Sequence, residues 1–124
     1  MNKNFSDNES LYRAVYPPEV NQIFWKDEKH ISSAVFLDKK GVSVERGNFR
    51  LDENVVLEMK KFFIGKIVAI TAGICHEVNA KVLYKPTKRS VYHSEIHGGE
   101  KQIVLTPSQR RFLAANSRLL ESEA

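Results

Sequence analysis

Residues 66–75, KIVAITAGIC, are the most continuously apolar stretch of the chain, and β-branched side chains dominate it. This composition predicts a strand that is buried on both faces of a sheet. The uncharged run from Ile67 to Cys75 is shorter than the roughly 20 residues needed to cross a bilayer. It therefore predicts the interior of a folded domain, with no membrane contact.

Shorter strands are predicted on either side of this segment. Residues 11–16, LYRAVY, form a strand candidate that Pro17-Pro18 ends, because proline lacks a ladder donor. Residues 31–36 and 42–45 predict a β-hairpin across residues 38–41, where Gly41 supplies a positive φ. Further strands are predicted over residues 77–84, 91–97 and 102–105.

A first amphipathic helix is predicted from the N-cap Asp52 through Phe63, with Gly65 ending it. Acidic Glu53 in the first turn suits the positive end of the helix dipole. Its apolar stripe comprises Val55, Val56, Met59, Phe62 and Phe63. One or two further helical turns are predicted within residues 19–25.

A second helix is predicted after Thr106, an N-cap that is followed by Pro107 at the first helical position. Gln109 has the spacing of a capping box. The predicted inward stripe runs as far as Leu120, with Arg111 and Arg118 together on the opposite side. Its members are Phe112, Leu113, Asn116, Leu119 and Leu120.

These elements predict an α+β fold, with a mainly antiparallel mixed sheet of five to seven short strands covered by two amphipathic helices. A length of 124 residues fits one domain. We assign residues 1–9 to a disordered N-terminal tail and residues 10–124 to a single domain. The single Cys75 excludes an internal disulfide framework, and the polar N-terminus has no apolar targeting core, so we expect a cytoplasmic location.

The segment 92–99, YHSEIHGG, concentrates ligand- and proton-handling side chains. On a strand, His93, Glu95 and His97 project from one face because side chains alternate. They are candidate catalytic residues, with imidazole and carboxylate as acid and base. Two other interpretations stay open: a metal site completed by His76, and a polar face of a half-exposed strand. We assign no metal and no cofactor.

Arg13 lies among apolar neighbours in the first predicted strand. A guanidinium there either binds a phosphate or carboxylate, or faces solvent from the outer face of the strand. Ser33 and Ser43 in the following segments offer hydroxyl groups to the same anion. Arg13 and Ser33 therefore join the candidate catalytic residues.

The chain carries a net charge of +4, and its positive residues gather in two segments. Mobile cations bind phosphates, and Tyr84 or Tyr92 offers a ring on which an unpaired base can stack. The alternative is an ordinary solvated surface. Trp25 is either an exposed anchor for a partner or a cap on the core. The candidate binding residues are Lys85, Lys88, Arg89, Arg110, Arg111, Arg118 and Trp25.

Several catalytic signatures are missing from the sequence: it has no Gly-rich phosphate loop, no C-x-x-C pair and no G-x-S-x-G elbow. These absences argue against ATPases, Rossmann enzymes, zinc ribbons and serine hydrolases.

Four segments resemble a group of small uncharacterised bacterial proteins: Leu-Tyr-Arg at 11–13, Ser-Ser-Ala-x-Phe at 32–36, Ser-Val at 43–44 and His-x-x-Ile-x-Gly at 93–98. The group has no assigned activity. His93 matches its pattern, whereas Glu95 and His97 do not. A fold-level analogy also links Arg13, Ser33 and Glu95 to the arginine, serine and glutamate of ADP-ribosyltransferase-like proteins.

The sequence therefore predicts a small cytoplasmic binding protein that contacts an acidic macromolecule, either a nucleic acid or a partner protein. Its small size and the resemblance suggest an accessory role in bacterial phage defence or a toxin–antitoxin pair. The alternative is a small enzyme. It is either a ribonuclease that uses His93 with Glu95 or His97, or an NAD-consuming transferase that uses Arg13, Ser33 and Glu95.

Overall fold

The computed structural model describes residues 1–120, so the last four residues of the predicted domain, 121–124, lie outside the described part. Six strands form one sheet in the order β4-β5-β2-β1-β3-β6, and each neighbouring pair is antiparallel. Their bounds are β1 Ser10–Val15, β2 Val42–Arg46, β3 Lys66–Thr71, β4 Lys81–Tyr84, β5 His93–His97 and β6 Arg118–Leu120.

Within these residues, three α-helices and two short 3-10 helices pack on the sheet. The helices are α1 Asp52–Met59, α2 Ala72–Glu77 and α3 Pro107–Ala115, and the 3-10 turns are Gln22–Phe24 and Ser33–Phe36. The predicted α+β class and its antiparallel sheet are confirmed, with three helices in place of two. No helix in the described part is both long and apolar enough to traverse a membrane.

Strand alternation divides the core between the two faces of the sheet. On the α3 face, strand residues such as Leu11, Val44 and Ile70 pack in one cluster with Val35 and Leu113. On the α1 face, Tyr12, Ile67 and Ala69 pack against Val55 and Met59 of α1. Because α1 covers only the part of its face over β1 and β3, the part over β2 and β5 is left for polar side chains.

The predicted hairpin over residues 31–45 is wrong. Ser33–Phe36 is a 3-10 turn, because the Ser32 side chain accepts the Ala34 N–H and caps it. Strand β2 instead pairs with β1 and β5. Gly41 does turn the chain, with a φ of 100°.

The strand predicted over residues 66–75 ends at Thr71, where helix α2 begins. The Thr71 side chain accepts the Ile74 N–H and so caps the new helix. A short apolar run does not distinguish a buried strand from a buried helix, so the pattern missed this boundary.

Both predicted helices end early. Helix α1 stops at Met59, and Phe62 and Phe63 lie in the following turn rather than on an inward stripe. Helix α3 has the predicted Thr106 capping box but ends at Ala115. There the Ser117 hydroxyl bonds back to the Leu113 carbonyl at 2.8 Å, which competes with continuation of the helix.

Other predicted boundaries also differ. Residues 19–25 hold only the 3-10 turn Gln22–Phe24. The strand predicted over 77–84 begins at Lys81, after Asn79 with its φ of 59°. Residues 102–105 form no strand in the structure, only an isolated bridge between Gln102 and Gly99.

The sequence predicted a disordered tail over residues 1–9, but Phe5 and Glu9 of this segment contact the fold, while most of its other residues are exposed. Glu9 is 1% exposed and binds Arg46 through two hydrogen bonds of 2.7 and 2.8 Å. The Arg46 guanidinium also lies 3.9 Å from the centre of the Phe5 ring. A buried carboxylate and a cation–π contact thus anchor this segment to β2.

Candidate functional site

A row of three side chains crosses the α1 face, from the part covered by α1 to the open part. Tyr12 of β1 lies opposite Glu45 of β2, which in turn lies opposite His93 of β5. The Arg46 N–H donates to the Tyr92 carbonyl at 2.9 Å. The adjacent pair, Glu45 and His93, is therefore a non-hydrogen-bonded pair, the kind whose side chains approach most closely.

Two adjoining cavities lie above this row, with volumes of about 300 and 820 Å³. Glu45 and His93 line both of them, together with Met59, Phe62 and Phe63. We call the combined depression the groove. It runs between the end of α1 and the loop of residues 85–92.

One wall of the groove is cationic. Arg50, Lys88 and Arg89 line the larger cavity. The Arg50 guanidinium stacks 3.5 Å from the centre of the Tyr92 ring and donates to the Gly47 and Arg46 carbonyls, both at 2.9 Å. These contacts use two of its five N–H donors and hold the group in place.

The other wall is apolar and exposed. Phe62 and Phe63 are 57% and 36% exposed, and the neighbouring Leu57 and Ile64 are also exposed. The Arg89 guanidinium lies 5.9 Å from the centre of the Phe63 ring, so the cationic wall meets the aromatic wall there. Rings and cations thus face the same space.

Both ring nitrogens of His93 have a partner. Its Nδ1 lies 2.8 Å from the Lys85 carbonyl oxygen, and its Nε2 lies 3.2 Å from the Ser43 hydroxyl. A carbonyl oxygen only accepts, so Nδ1 carries a proton and donates it. Nε2, whose contact with the Ser43 hydroxyl is the longer of the two, is therefore the ring atom that remains for a ligand.

Glu45 is held by a neighbouring hydroxyl. Ser90 Oγ donates to Glu45 Oε2 at 2.6 Å, and the same Ser90 oxygen accepts the Tyr92 N–H at 3.1 Å. The loop of residues 85–92 therefore positions both Glu45 and His93.

Glu95 and His97 share a sheet face with His93, as strand alternation predicted, but they form a separate pair. Glu95 Oε1 lies 2.8 Å from His97 Nε2, and the two side chains are 19% and 12% exposed. A Cβ added to Gly41 would lie within 3 Å of both, so the pair packs over that glycine. Neither residue lines the groove.

Arg13 points to the α3 face of β1, whereas His93 lies on the α1 face, although both residues line the smaller cavity. Arg13 Nε donates to the Val35 carbonyl and its NH1 to the Ser43 carbonyl, both at 2.8 Å. Burial lowers the pKa of Arg13, with Asp38 opposing the shift. Ser33 begins the 3-10 turn next to this arginine. Arg13 and Ser33 are thus not brought together with Glu95.

The candidate cations are split between separate surfaces. Lys88 and Arg89 line the groove, and Lys85 Nζ lies 3.9 Å from Glu95. Arg110 and Arg111 belong to α3, whereas Arg118 lies on β6 and bonds Asp52 at 3.2 Å. The expected pairing of Arg111 with Arg118 on one helix surface is therefore wrong, because helix α3 has already ended.

Trp25 belongs to the core. It is 9% exposed, and its Nε1 donates to the Tyr16 carbonyl at 2.7 Å. The Trp25 ring therefore caps the core and is not an exposed anchor for a partner.

The fourth-ligand candidate for a metal site, His76, lies elsewhere. His76 is on α2 and binds Asp7 at 2.8 Å. Cys75 is buried, and burial raises the pKa of its thiol to about 12. Among residues 1–120, no group of three or more His, Cys, Asp or Glu side chains is placed to hold a metal ion.

Sequence reasoning missed Glu45, Arg50 and Ser90 as site residues, and it assigned Phe62 and Phe63 to the core. The alternation in residues 42–46, VSVER, was a usable signal, since it puts Ser43 and Glu45 on one face. The sequence does not show that β2 pairs with β5, so it could not show that Glu45 and His93 are neighbours.

Comparison with protein-family models, with curated proteins and with solved structures found no match to this chain. The geometry of the groove is therefore the basis for assigning a function to this chain.

Proposed function

We propose that the groove binds a single-stranded nucleic acid. The observation that carries this proposal is the meeting of exposed aromatic rings with arginine and lysine side chains along one depression. Proteins that bind single strands combine a positive groove for the backbone with rings on which bases stack. Arg50, Lys88 and Arg89 take the phosphates in this proposal, and Phe62 and Phe63 take the bases.

The same features favour a nucleic acid over an acidic partner protein. An acidic protein uses the cations but has no planar bases to stack on Phe62 and Phe63. A double helix also fits less well, because its bases are already stacked and paired. As part of this proposal we place the chain in the cytoplasm, in an accessory role such as bacterial defence.

A charge-reversal experiment tests the cationic wall. Binding of a fluorescently labelled single strand of about ten nucleotides is followed by anisotropy. The Lys88→Glu/Arg89→Glu double variant is expected to lose affinity by about tenfold or more, because two phosphate contacts become repulsive. The matched control is Lys101→Glu/Arg111→Glu, which reverses one exposed lysine and one exposed arginine outside the groove.

The Phe62→Leu variant tests the aromatic wall. It keeps an apolar side chain but removes the ring, and base stacking contributes about 1–3 kcal/mol per base. We expect affinity to fall about tenfold, with no change in the dependence of affinity on salt. Equal loss in the groove and control double variants would contradict the proposal, as would full affinity in Phe62→Leu.

A further inference from the structure

The groove contains a carboxylate and an imidazole side by side at its centre. Glu45 and His93 are directly opposite across β2 and β5, and each lines both cavities. Opposite residues in an antiparallel pair have Cβ atoms about 5 Å apart. A ligand that crosses from one cavity to the other must therefore pass both groups.

Each of these groups is oriented by the protein. The Lys85 carbonyl holds His93 Nδ1–H, and Nε2, which lies 3.2 Å from the Ser43 hydroxyl, is the ring atom that we assign to proton transfer. The Ser90 hydroxyl holds one oxygen of Glu45. A positioned carboxylate and a positioned imidazole are the usual members of an acid–base pair.

We propose that the groove cleaves bound RNA by attack of the RNA's own 2′-hydroxyl group. In this reaction Glu45 is the general base and protonated His93 is the general acid. This inference rests on the proposed function, because it requires a single strand bound in the groove. It identifies the bound strand as RNA, since only RNA carries the attacking hydroxyl.

The step balances without a metal or a further reactant. Glu45 takes the proton of the 2′-hydroxyl, and the O2′–P bond forms. The P–O5′ bond breaks, and His93 Nε2 gives its proton to the departing O5′. The products are a strand that ends in a 2′,3′-cyclic phosphate and a strand that begins with a free 5′-hydroxyl. Exchange with solvent then returns both side chains to their starting protonation states.

Arg50 is the cation that we assign to the negative charge that develops on the phosphoryl oxygens. Its guanidinium lines the cavity shared with Glu45 and His93 and is fixed by the Tyr92 ring and two carbonyls. A preorganised cation stabilises the transition state without having to reorganise during the reaction.

The structure favours Glu45 over Glu95 and His97 as the partner of His93. The Glu95–His97 pair is closed by its own 2.8 Å contact and lies outside the groove lining. In addition, Lys85 Nζ lies 3.9 Å from Glu95. Glu95 is therefore already paired with His97 and Lys85 on the sheet face.

The experiment uses the whole chain and three labelled strands of one sequence: RNA, its 2′-O-methyl form and DNA. We expect cleavage of RNA alone, with the 2′,3′-cyclic phosphate identified by mass spectrometry, and binding of all three strands. Glu45→Gln and His93→Gln are each expected to slow cleavage by about 100-fold or more. Both should bind the 2′-O-methyl strand within a few-fold of the unmodified chain, which also shows that they fold. Glu100→Gln and His76→Gln are the matched controls, since both lie outside the groove.

The outcomes separate this inference from the proposed function. Binding of all three strands without cleavage would overturn the inference alone, whereas absence of binding would overturn both. Cleavage of DNA would exclude the 2′-hydroxyl as the attacking group. Cleavage that persists in Glu45→Gln and His93→Gln would overturn the assignment, as would loss of cleavage in Glu95→Gln with activity kept in Glu45→Gln.

Discussion

At the scale of single residues, the Glu9–Arg46 pair is the most deeply buried ionic contact in the described chain. Its side chains are 1% and 2% exposed, and the bond is bidentate. Arg46 also donates to the main-chain carbonyls of Asn2 and Asn4. Because β2 carries Glu45 next to Arg46, this network also fixes the strand from which the groove is built.

We expect Glu9→Gln to lower the free energy of unfolding by about 3–5 kcal/mol, because Arg46 would keep its charge in a buried place without a carboxylate. Urea denaturation measures this change. The control is Glu58→Gln, whose ion pair with Lys61 leaves the two side chains 58% and 59% exposed. That change should cost at most about 1 kcal/mol. Similar losses in both variants would contradict this account of the segment before β1.

At the scale of elements, α1 is tethered to the sheet by its first residue. The Tyr12 hydroxyl donates to Asp52 Oδ1, and Arg118 of β6 donates to Asp52 Oδ2. Burial, followed by the Asp52 contact, raises the pKa of Tyr12 to about 12. The hydrogen bond from Tyr12 is the main reason that the pKa of Asp52 is lowered. This tether fixes the helix that leads into the apolar wall of the groove.

The burial of Tyr12, together with its bond to Asp52, predicts a pH dependence of stability. Tyr12 holds its proton more tightly in the folded chain, so its contribution is complete below the unfolded pKa of 10 and is lost as the pH rises to about 12. The loss amounts to about 2–3 kcal/mol. Asp52 has the opposite sign, because its contribution is present above its unfolded pKa and is lost as the pH falls.

The Tyr12→Phe variant isolates this contribution. Its stability should fall less than that of the unmodified chain between pH 10 and pH 12, as measured by urea denaturation across that range. Parallel pH curves for the two proteins would contradict this contribution of Tyr12. The Tyr84→Phe variant is a control, since it also removes one tyrosine hydroxyl but keeps the Tyr12 contact.

Elements with strong local signals were predictable from the sequence. Thr106, Pro107 and Gln109 specify the start of α3 through contacts within a single turn. The ends of α1 and α3 were not predictable, because Phe62 and Leu119 continue a helical apolar period after the helix has stopped. Local periodicity records which residues are apolar but not which face of the molecule each one meets.

The same limit explains what was missed at the site. Strand alternation correctly put His93, Glu95 and His97 on one face. Whether any of them faces a cavity depends on β2 lying beside β5, a contact between residues about fifty positions apart. The sequence contains no local signal for that pairing, so Glu45 could not be matched with His93.

At the scale of the whole molecule, positive charge is spread over surfaces that differ in shape. Helix α3 presents Arg111 as an exposed side chain outside the groove, whereas Lys88 and Arg89 border a depression with exposed rings. Charge alone would therefore attract a polyanion to several places. The rings and the depression are what make the groove the specific site in this account.

Chemical-shift mapping with the 2′-O-methyl strand tests most directly the claim that the groove is the binding site. This strand is expected to bind without being cleaved. In a titration of the ¹⁵N-labelled chain, we predict that the largest amide shifts fall on Arg50, Phe62, Phe63, Arg89 and His93. Amides of α3 around Arg111 should move little. Shifts centred on α3, or spread evenly over the exposed lysines and arginines, would contradict the account.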